Sequence, residues 1–112
     1  MSETNLVQSI RLALSNGAVR LFRNNVGRLE DKSGRWVSFG LCEGSSDLVG
    51  YKTVKITAEM VGRDIAVFVA IECKTHKGKL SSDQTNFLLA IRAAGGISGV
   101  ARSVSDAESI LL

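Results

Sequence analysis

The sequence contains no proline and only one histidine, and each scarcity excludes a class of protein. Without proline, the chain has no proline-rich linker between separate parts. With one histidine and two cysteines, Cys42 and Cys73, it lacks the ligands of a zinc site of ordinary spacing. We interpret both cysteines as reduced structural thiols. No apolar run approaches the roughly 20 residues that are needed to span a bilayer.

The N-terminal sequence MSETN lacks the basic and then apolar order of a signal peptide, so we expect a cytoplasmic protein. The 112 residues suffice for one hydrophobic core, and we predict a single domain over residues 1–112. The net charge of +3 permits nucleic-acid binding but does not require it.

The most informative stretch is an unbroken apolar run, residues 65–71, that is followed by Glu72, Cys73 and Lys74. A short run rich in valine and isoleucine predicts a strand that is buried on both faces. Side chains two positions apart in a strand share a face, so Glu72 and Lys74 would project together at its end. Charged groups in such a place require a partner or a metal ion.

Apolar spacing and turn residues predict an α/β fold in which helices flank a mixed central β-sheet. The predicted helices span residues 4–16, 81–94 and 103–112. The predicted strands span residues 18–24, 35–39, 47–56, 65–74 and 97–101, with a loop or turn over 24–34 and a one-turn helix or wide turn over 57–63. We expect a bulge or break near Gly50. Strands 47–56 and 65–74 should pair antiparallel, and the last strand should lie parallel to its predecessor across the helix.

Asp47 begins one strand of the predicted hairpin, and Glu72 and Lys74 end the other. In register, the two carboxylates would meet at one sheet edge, where their oxygens suit Mg²⁺ or Mn²⁺. An adjacent ammonium can orient or deprotonate a water and stabilise negative charge, and the set is suited to phosphodiester hydrolysis. The alternative is a surface Glu72–Lys74 pair with Asp47 unrelated to it.

Four segments in order resemble the VRR-NUC family, the virus-type replication-repair nucleases of the PD-(D/E)xK superfamily. They are FRNNVG (22–27), GSSDLVG (44–50), AIECKT (70–75) and KLSSDQTNF (79–87). The resemblance implies a restriction-endonuclease-like core. Ser46 stands where the superfamily motif has proline, at a position that varies and touches no chemistry.

The resemblance also implies roles for individual residues. Asp47 and Glu72 would be metal ligands, together with the backbone carbonyl of Cys73, and Lys74 would be the catalytic lysine. Two helix residues join the catalytic set, although each has a local explanation. Gln84 lies three residues after Ser81 in a capping box, and Glu3 opens the first helix, where the helix dipole favours a negative charge.

Small stand-alone relatives look like homodimeric junction resolvases. By resemblance we therefore expect an Mg²⁺- or Mn²⁺-dependent DNA endonuclease of phage or bacterial origin that cuts four-way (Holliday) junctions in DNA repair. The alternatives are a less selective nuclease, a flap-cutting enzyme like larger members of the family, and a catalytically silent DNA-binding module.

Basic and amide residues near the predicted site are candidates for sequence-independent phosphate contacts. These DNA-binding candidates are Arg23, Asn25, Arg28, His76, Lys77 and Lys79. Lys77 and Lys79 could instead be simply solvated, and we favour phosphate contact over base catalysis for His76. We assign Trp36 and Phe39 to the core in preference to base stacking.

Overall fold

A computed structural model describes residues 2–112, and the elements in this range follow the predicted order closely. The helices are α1 (Glu3–Leu14), α2 (Ser82–Ala93) and α3 (Val104–Leu111), with a 3₁₀ turn at Ala58–Met60. The strands are β1 (Val19–Arg23), β2 (Gly27–Glu30), β3 (Trp36–Phe39), β4 (Leu48–Lys52), β5 (Val69–Cys73) and β6 (Ile97–Ala101). The chain divides into two compact units, of which the first ends at Lys52 and the second is Thr53–Leu112.

In unit 1, helix α1 packs beside a two-stranded antiparallel sheet of β1 and β4. The Ser2 hydroxyl accepts a hydrogen bond from the Asn5 N–H at 3.1 Å and caps the helix. Val7 is the buried apolar residue of α1. Strands β2 and β3 form a separate antiparallel hairpin.

The predicted bulge or break near Gly50 is wrong. The β1–β4 ladder runs through this residue without interruption, pairing Gly50 with Leu21. A Cβ at position 50 would collide with the carbonyl oxygen of Arg20. The glycine therefore allows two backbones to approach closely, which is another established use of glycine in a strand.

The hairpin of β2 and β3 corrects two further predictions. Residues 27–30 form a strand where we expected a loop. Trp36 and Phe39 are 63% and 41% exposed, so the prediction that they belong to the core is wrong. The reason is that β3 is exposed along its whole length, and the Arg28 guanidinium lies 5.5 Å from the centre of the Trp36 ring in a cation–π contact.

In unit 2, β5 and β6 form a parallel pair that is connected through α2, as the sequence predicts. The core of this unit contains Leu88 and Ile91 of α2 together with Ala101 of β6. The Ser103 hydroxyl accepts a hydrogen bond from the Asp106 N–H at 3.0 Å and caps α3, which packs on β6.

The strand predicted over residues 65–74 is shorter and more exposed than expected. Regular pairing covers only Val69–Cys73, and Val69 is 43% exposed. In unit 2, α2 contacts β5 and β6, whereas α3 contacts β6. Val69 and Cys73, which share the face of β5 opposite α2, are both exposed, so the prediction of burial on both faces is wrong.

The strands of residues 2–112 form three two-stranded sheets. A single mixed sheet would require β4 to pair with β5, and these strands belong to different units. That pairing stays a prediction. Within the same residues, no helix is both long and apolar enough to cross a membrane.

Candidate active site at the end of β5

Glu72 and Lys74 lie on one face of the β5–β6 sheet. Glu72 pairs with Val100 in the parallel register, and the Lys74 N–H donates to the Ala101 carbonyl at 3.1 Å, which extends the ladder one residue beyond β5. Side chains alternate along this extended segment, so Glu72 and Lys74 project to one side and Cys73 to the other. Both charged residues are half-buried.

That side is the one covered by α2. Ala70 pairs with Ser98, and the Ser98 hydroxyl donates to the Leu88 carbonyl of α2 at 2.6 Å. Paired residues in a parallel sheet share a face, which places the side chains of Ala70, Glu72 and Lys74 toward α2. On the opposite face, a Cβ at Gly99 would meet the Ile110 side chain of α3.

Gln84 contacts Glu72 while it also caps α2. Its Oε1 accepts from the Ser81 N–H at 2.9 Å, and the Ser81 hydroxyl accepts from the Gln84 N–H at 3.0 Å, which completes the predicted capping box. The Gln84 Nε2 then donates to Glu72 Oε2 at 3.4 Å. Since the cap uses the amide oxygen, it fixes the amide orientation and turns the NH₂ group toward the carboxylate. One residue thus caps α2 and contacts Glu72, and its predicted part in catalysis stays a prediction.

The donors at this end of β5 suit a hard divalent cation. Gln84 uses one lone pair of the Glu72 carboxylate, at long range, and leaves oxygen sites for a metal ion. The Phe68 carbonyl accepts from the Ile97 N–H, and the Lys74 N–H donates to the Ala101 carbonyl. Along this segment the backbone N–H and C=O groups of even-numbered residues therefore point toward β6. The Cys73 carbonyl therefore points away from the ladder, and its thiol is free and exposed.

Asp47 lies in unit 1, immediately before β4, and is exposed. Its backbone carbonyl accepts from the Asn24 N–H at 2.8 Å. The Asn24 side chain donates to the Ser45 hydroxyl at 2.7 Å and to the Ser46 carbonyl at 2.9 Å, and accepts from the Leu41 N–H at 3.0 Å. Asn24 is only 9% exposed, so one buried amide fixes the loop that leads into Asp47.

In the sequence, Asn24 stands out only as part of the FRNNVG segment, which does not indicate this role. Its partners lie 17–22 residues away, at a separation that carries no periodic signal. An asparagine just after a strand, followed later by a glycine- and serine-rich loop, is the only hint in the sequence.

Glu3 is the first residue of α1 and is exposed. The helix dipole is sufficient to account for a glutamate at this position. Its predicted part in the metal site stays a prediction, as does the position of Asp47 relative to Glu72. Among residues 2–112, no group of three or more histidine, cysteine, aspartate or glutamate side chains is arranged to hold a metal ion.

The DNA-binding candidates fall into two local groups. In unit 1, the Arg23 Nε donates to the Asn25 Oδ1 at 2.8 Å, and Arg28 lies over Trp36. In unit 2, His76 and Lys77 occupy the corners of a turn that is closed by the Gly78 N–H donating to the Thr75 carbonyl at 3.0 Å. Lys79 follows this turn.

All six DNA-binding candidates are exposed, as phosphate contacts must be: Arg23, Asn25, Arg28, His76, Lys77 and Lys79.

A carboxylate and a lysine on one face at the end of a strand, backed by a capped helix, are residue types that metal-assisted phosphodiester hydrolysis can use. Residues 7–105 match the VRR-NUC domain model, and the chain therefore belongs to the VRR-NUC family. It is a nuclease domain of the PD-(D/E)xK type, a class that generally uses divalent metals and acts on DNA. No curated protein and no solved structure matched the chain.

Proposed function

We propose that the chain is a structure-selective DNA endonuclease that requires Mg²⁺ or Mn²⁺ and cuts four-way junctions as a homodimer. The observation that carries this proposal is the contact between Gln84 and Glu72 beside Lys74. Gln84 contacts Glu72, and Lys74 projects from the same face of the sheet, so three of the predicted catalytic residues lie on the α2 side of unit 2. In the proposed enzyme residues 1–112 form one domain with a restriction-endonuclease-like core.

The metal ion would be held by the carboxylates of Asp47 and Glu72 and by the Cys73 carbonyl. When bound, it polarises the phosphoryl oxygen and acidifies a water molecule. Gln84 keeps the Glu72 carboxylate oriented through its amide NH₂ group. The Lys74 Nζ donates hydrogen bonds to the attacking water or to a phosphate oxygen as negative charge develops there.

The exposed basic groups support binding through the DNA backbone. Contacts of this type are sequence-independent, so selectivity would come from the shape of the DNA. A four-way junction presents pairs of equivalent strands, and a symmetric dimer would place one site at each of two strands. The homodimer rests on the family resemblance.

The experiment compares cleavage of four-way junction, flap and linear duplex at equal concentration, with Mg²⁺, with Mn²⁺ and with EDTA. We expect metal-dependent cutting of the junction. Flap cleavage or equal cutting of linear duplex would favour the alternative nucleases, and binding without cutting would favour the silent module.

Substitutions in the proposed site test the residue roles. We expect Lys74→Ala and Glu72→Gln each to lower the cleavage rate by at least about 100-fold, because the first removes the ammonium that donates to the attacking water or phosphate and the second removes a charged metal ligand. The charge-matched controls are Lys32→Ala in the hairpin turn and Glu108→Gln on α3, which should cut like wild type. Wild-type rates in Lys74→Ala or Glu72→Gln would refute the assignment.

Oligomeric state is measured separately. Light scattering at the assay concentration should give the mass of two chains. A single-chain mass there would remove the paired cut but would leave the catalytic assignment standing.

A further inference from the structure

Arg102, the residue after β6, makes an unusual set of contacts with the turn that follows β5. Its Nη1 donates to the carbonyls of Thr75 at 2.6 Å and Gly78 at 2.8 Å, with a weaker contact to the His76 carbonyl at 3.4 Å. Three backbone oxygens thus converge on one cationic nitrogen. These partners lie 24–27 residues away in the sequence.

The turn also lies against Lys74. A Cβ at Gly78 would stand 3.4 Å from both Cβ and Cδ of Lys74, so the backbone of Gly78 lies along the aliphatic stem of the lysine. A shift of this backbone would change which rotamers are sterically allowed for the Lys74 side chain. The turn therefore links the contacts of Arg102 to the position of the Lys74 side chain.

The other end of Arg102 is fixed as well. Its backbone N–H donates to the Asp106 Oδ2 at 2.8 Å, and the Asp106 N–H is held by the Ser103 hydroxyl that caps α3. The start of α3 thus anchors the residue whose side chain reaches the turn. Converging carbonyl dipoles repel one another, and a positive charge among them removes that repulsion.

We propose that Arg102 is a positioning residue for phosphodiester cleavage: it holds the turn at residues 75–78, and through this turn it restricts Lys74 and presents His76 and Lys77 to DNA. This inference rests on the proposed nuclease function for the role of Lys74. The contacts of Arg102 with the turn do not depend on that function.

The experiment uses the full chain with Arg102→Gln, which removes the charge and keeps a polar side chain. The matched control is Arg92→Gln, because the Arg92 Nη2 also donates to a backbone carbonyl, that of Ser98, at 2.9 Å but does not contact the turn. Arg102→Lys is the conservative variant. Because all the contacts come from one nitrogen, an ammonium can replace it in part even though lysine cannot reproduce a guanidinium fork.

Two readouts are measured for each variant. The first is amide hydrogen exchange at the Gly78 N–H, which reports closure of the turn without any need for activity. The second is the single-turnover cleavage rate of a four-way junction at saturating enzyme, so that weaker DNA binding does not contribute. We expect Arg102→Gln to speed Gly78 exchange about tenfold and slow cleavage about tenfold, with Arg92→Gln within about twofold of wild type on both. Arg102→Lys should recover part of each loss.

Either of two results would overturn the proposal. Unchanged Gly78 exchange in Arg102→Gln would show that the arginine does not hold the turn. Faster exchange with a cleavage rate equal to that of Arg92→Gln would show that the turn does not position Lys74. If wild type cuts no substrate, the proposed nuclease function fails by itself, and amide exchange still decides whether Arg102 holds the turn.

Discussion

Two loops carry residues of the proposed site, and each is held by one polar side chain from the same unit. In unit 1, the Asn24 amide binds the loop before Asp47, and in unit 2 the Arg102 guanidinium binds the turn after Lys74. Asn24 donates to one backbone carbonyl and accepts from one backbone N–H, whereas Arg102 only donates to carbonyls. These backbone groups lie in loops, outside the helices and strands. They differ in burial, because Asn24 is 9% exposed whereas Arg102 lies at the surface.

Because of this difference, we expect the loop before Asp47 to depend more on Asn24 than the turn after Lys74 depends on Arg102. Removal of the buried Asn24 side chain breaks three hydrogen bonds and leaves a gap where the amide was packed, so its cost appears in the free energy of unfolding. An exposed guanidinium can be replaced by water at little cost. Loss of Asn24 should therefore act on folding, whereas loss of Arg102 should act on local order near the site.

The largest effect is expected from Asn24→Ala. The substitution leaves the Ser46 carbonyl and the Leu41 N–H without their partner, and we expect it to lower the free energy of unfolding by about 2–3 kcal/mol. Urea denaturation measures the change. Asn16→Ala is the control, because the Asn16 Nδ2 donates to the Ala13 carbonyl at an exposed position, and it should cost well under half as much. Equal losses in the two variants would contradict the role of burial.

Gln84 combines a stabilising role with a role at the site, because its side chain both caps α2 and donates to the Glu72 carboxylate. Gln84→Ala removes both contacts and should cost about 1 kcal/mol of unfolding free energy along with cleavage activity. Gln84→Glu keeps a capping-box residue at this position but places a like charge beside Glu72. We expect this variant to retain more stability than Gln84→Ala while it still loses activity. If the two variants lose stability and activity in parallel, the two roles are not separable.

Arg102→Gln should lower the free energy of unfolding by only about 0.5 kcal/mol, since its hydrogen bonds lie at the surface. Thermal or urea denaturation alongside Asn24→Ala gives the comparison directly. A loss as large as that of Asn24→Ala would mean that the exposed turn is as important for folding as the buried loop.

The smallest effect is expected at Asp31, which organises the turn of the β2–β3 hairpin. Hydrogen bonds from the Ser33 hydroxyl and from the Arg35 N–H hold the pKa of Asp31 below its ordinary value. Because the folded pKa is lower than the unfolded one, the stabilisation exists above the unfolded pKa, at about 4, and is lost as the pH falls through the folded pKa. NMR titration of the Asp31 carboxyl in folded and urea-unfolded chain measures this. Identical titration in both states would contradict it.

The sequence was sufficient where structure depends on near neighbours. The helix caps at Ser2, Ser81 and Ser103 all form with residues three positions on, and the Ser81–Gln84 pair was predicted as a capping box. The parallel pairing of β5 with β6 also followed, because a helix crossover strongly restricts the direction of the next strand.

The sequence was insufficient where structure depends on distant partners. Strand β2 contains Gly27, Arg28, Leu29 and Glu30, which show too little apolar alternation to predict a strand without knowledge of β3. An apolar run predicted burial for residues 65–71, yet Ile65, Val67 and Val69 are exposed, because burial depends on which elements cover a strand. The loop contacts of Asn24 and Arg102 span 17 residues or more and depend on the folded arrangement.

The double use of Gln84 has a consequence for the opening motions of the site. Helix ends fray more readily than helix centres, and the first turn of α2 opens whenever the Ser81–Gln84 cap breaks. Opening of that turn also releases the Glu72 carboxylate. The first turn of α2 and the contact of Gln84 with the Glu72 carboxylate therefore open together. We expect the Glu72 carboxylate to keep its orientation only as long as the Ser81–Gln84 cap is formed.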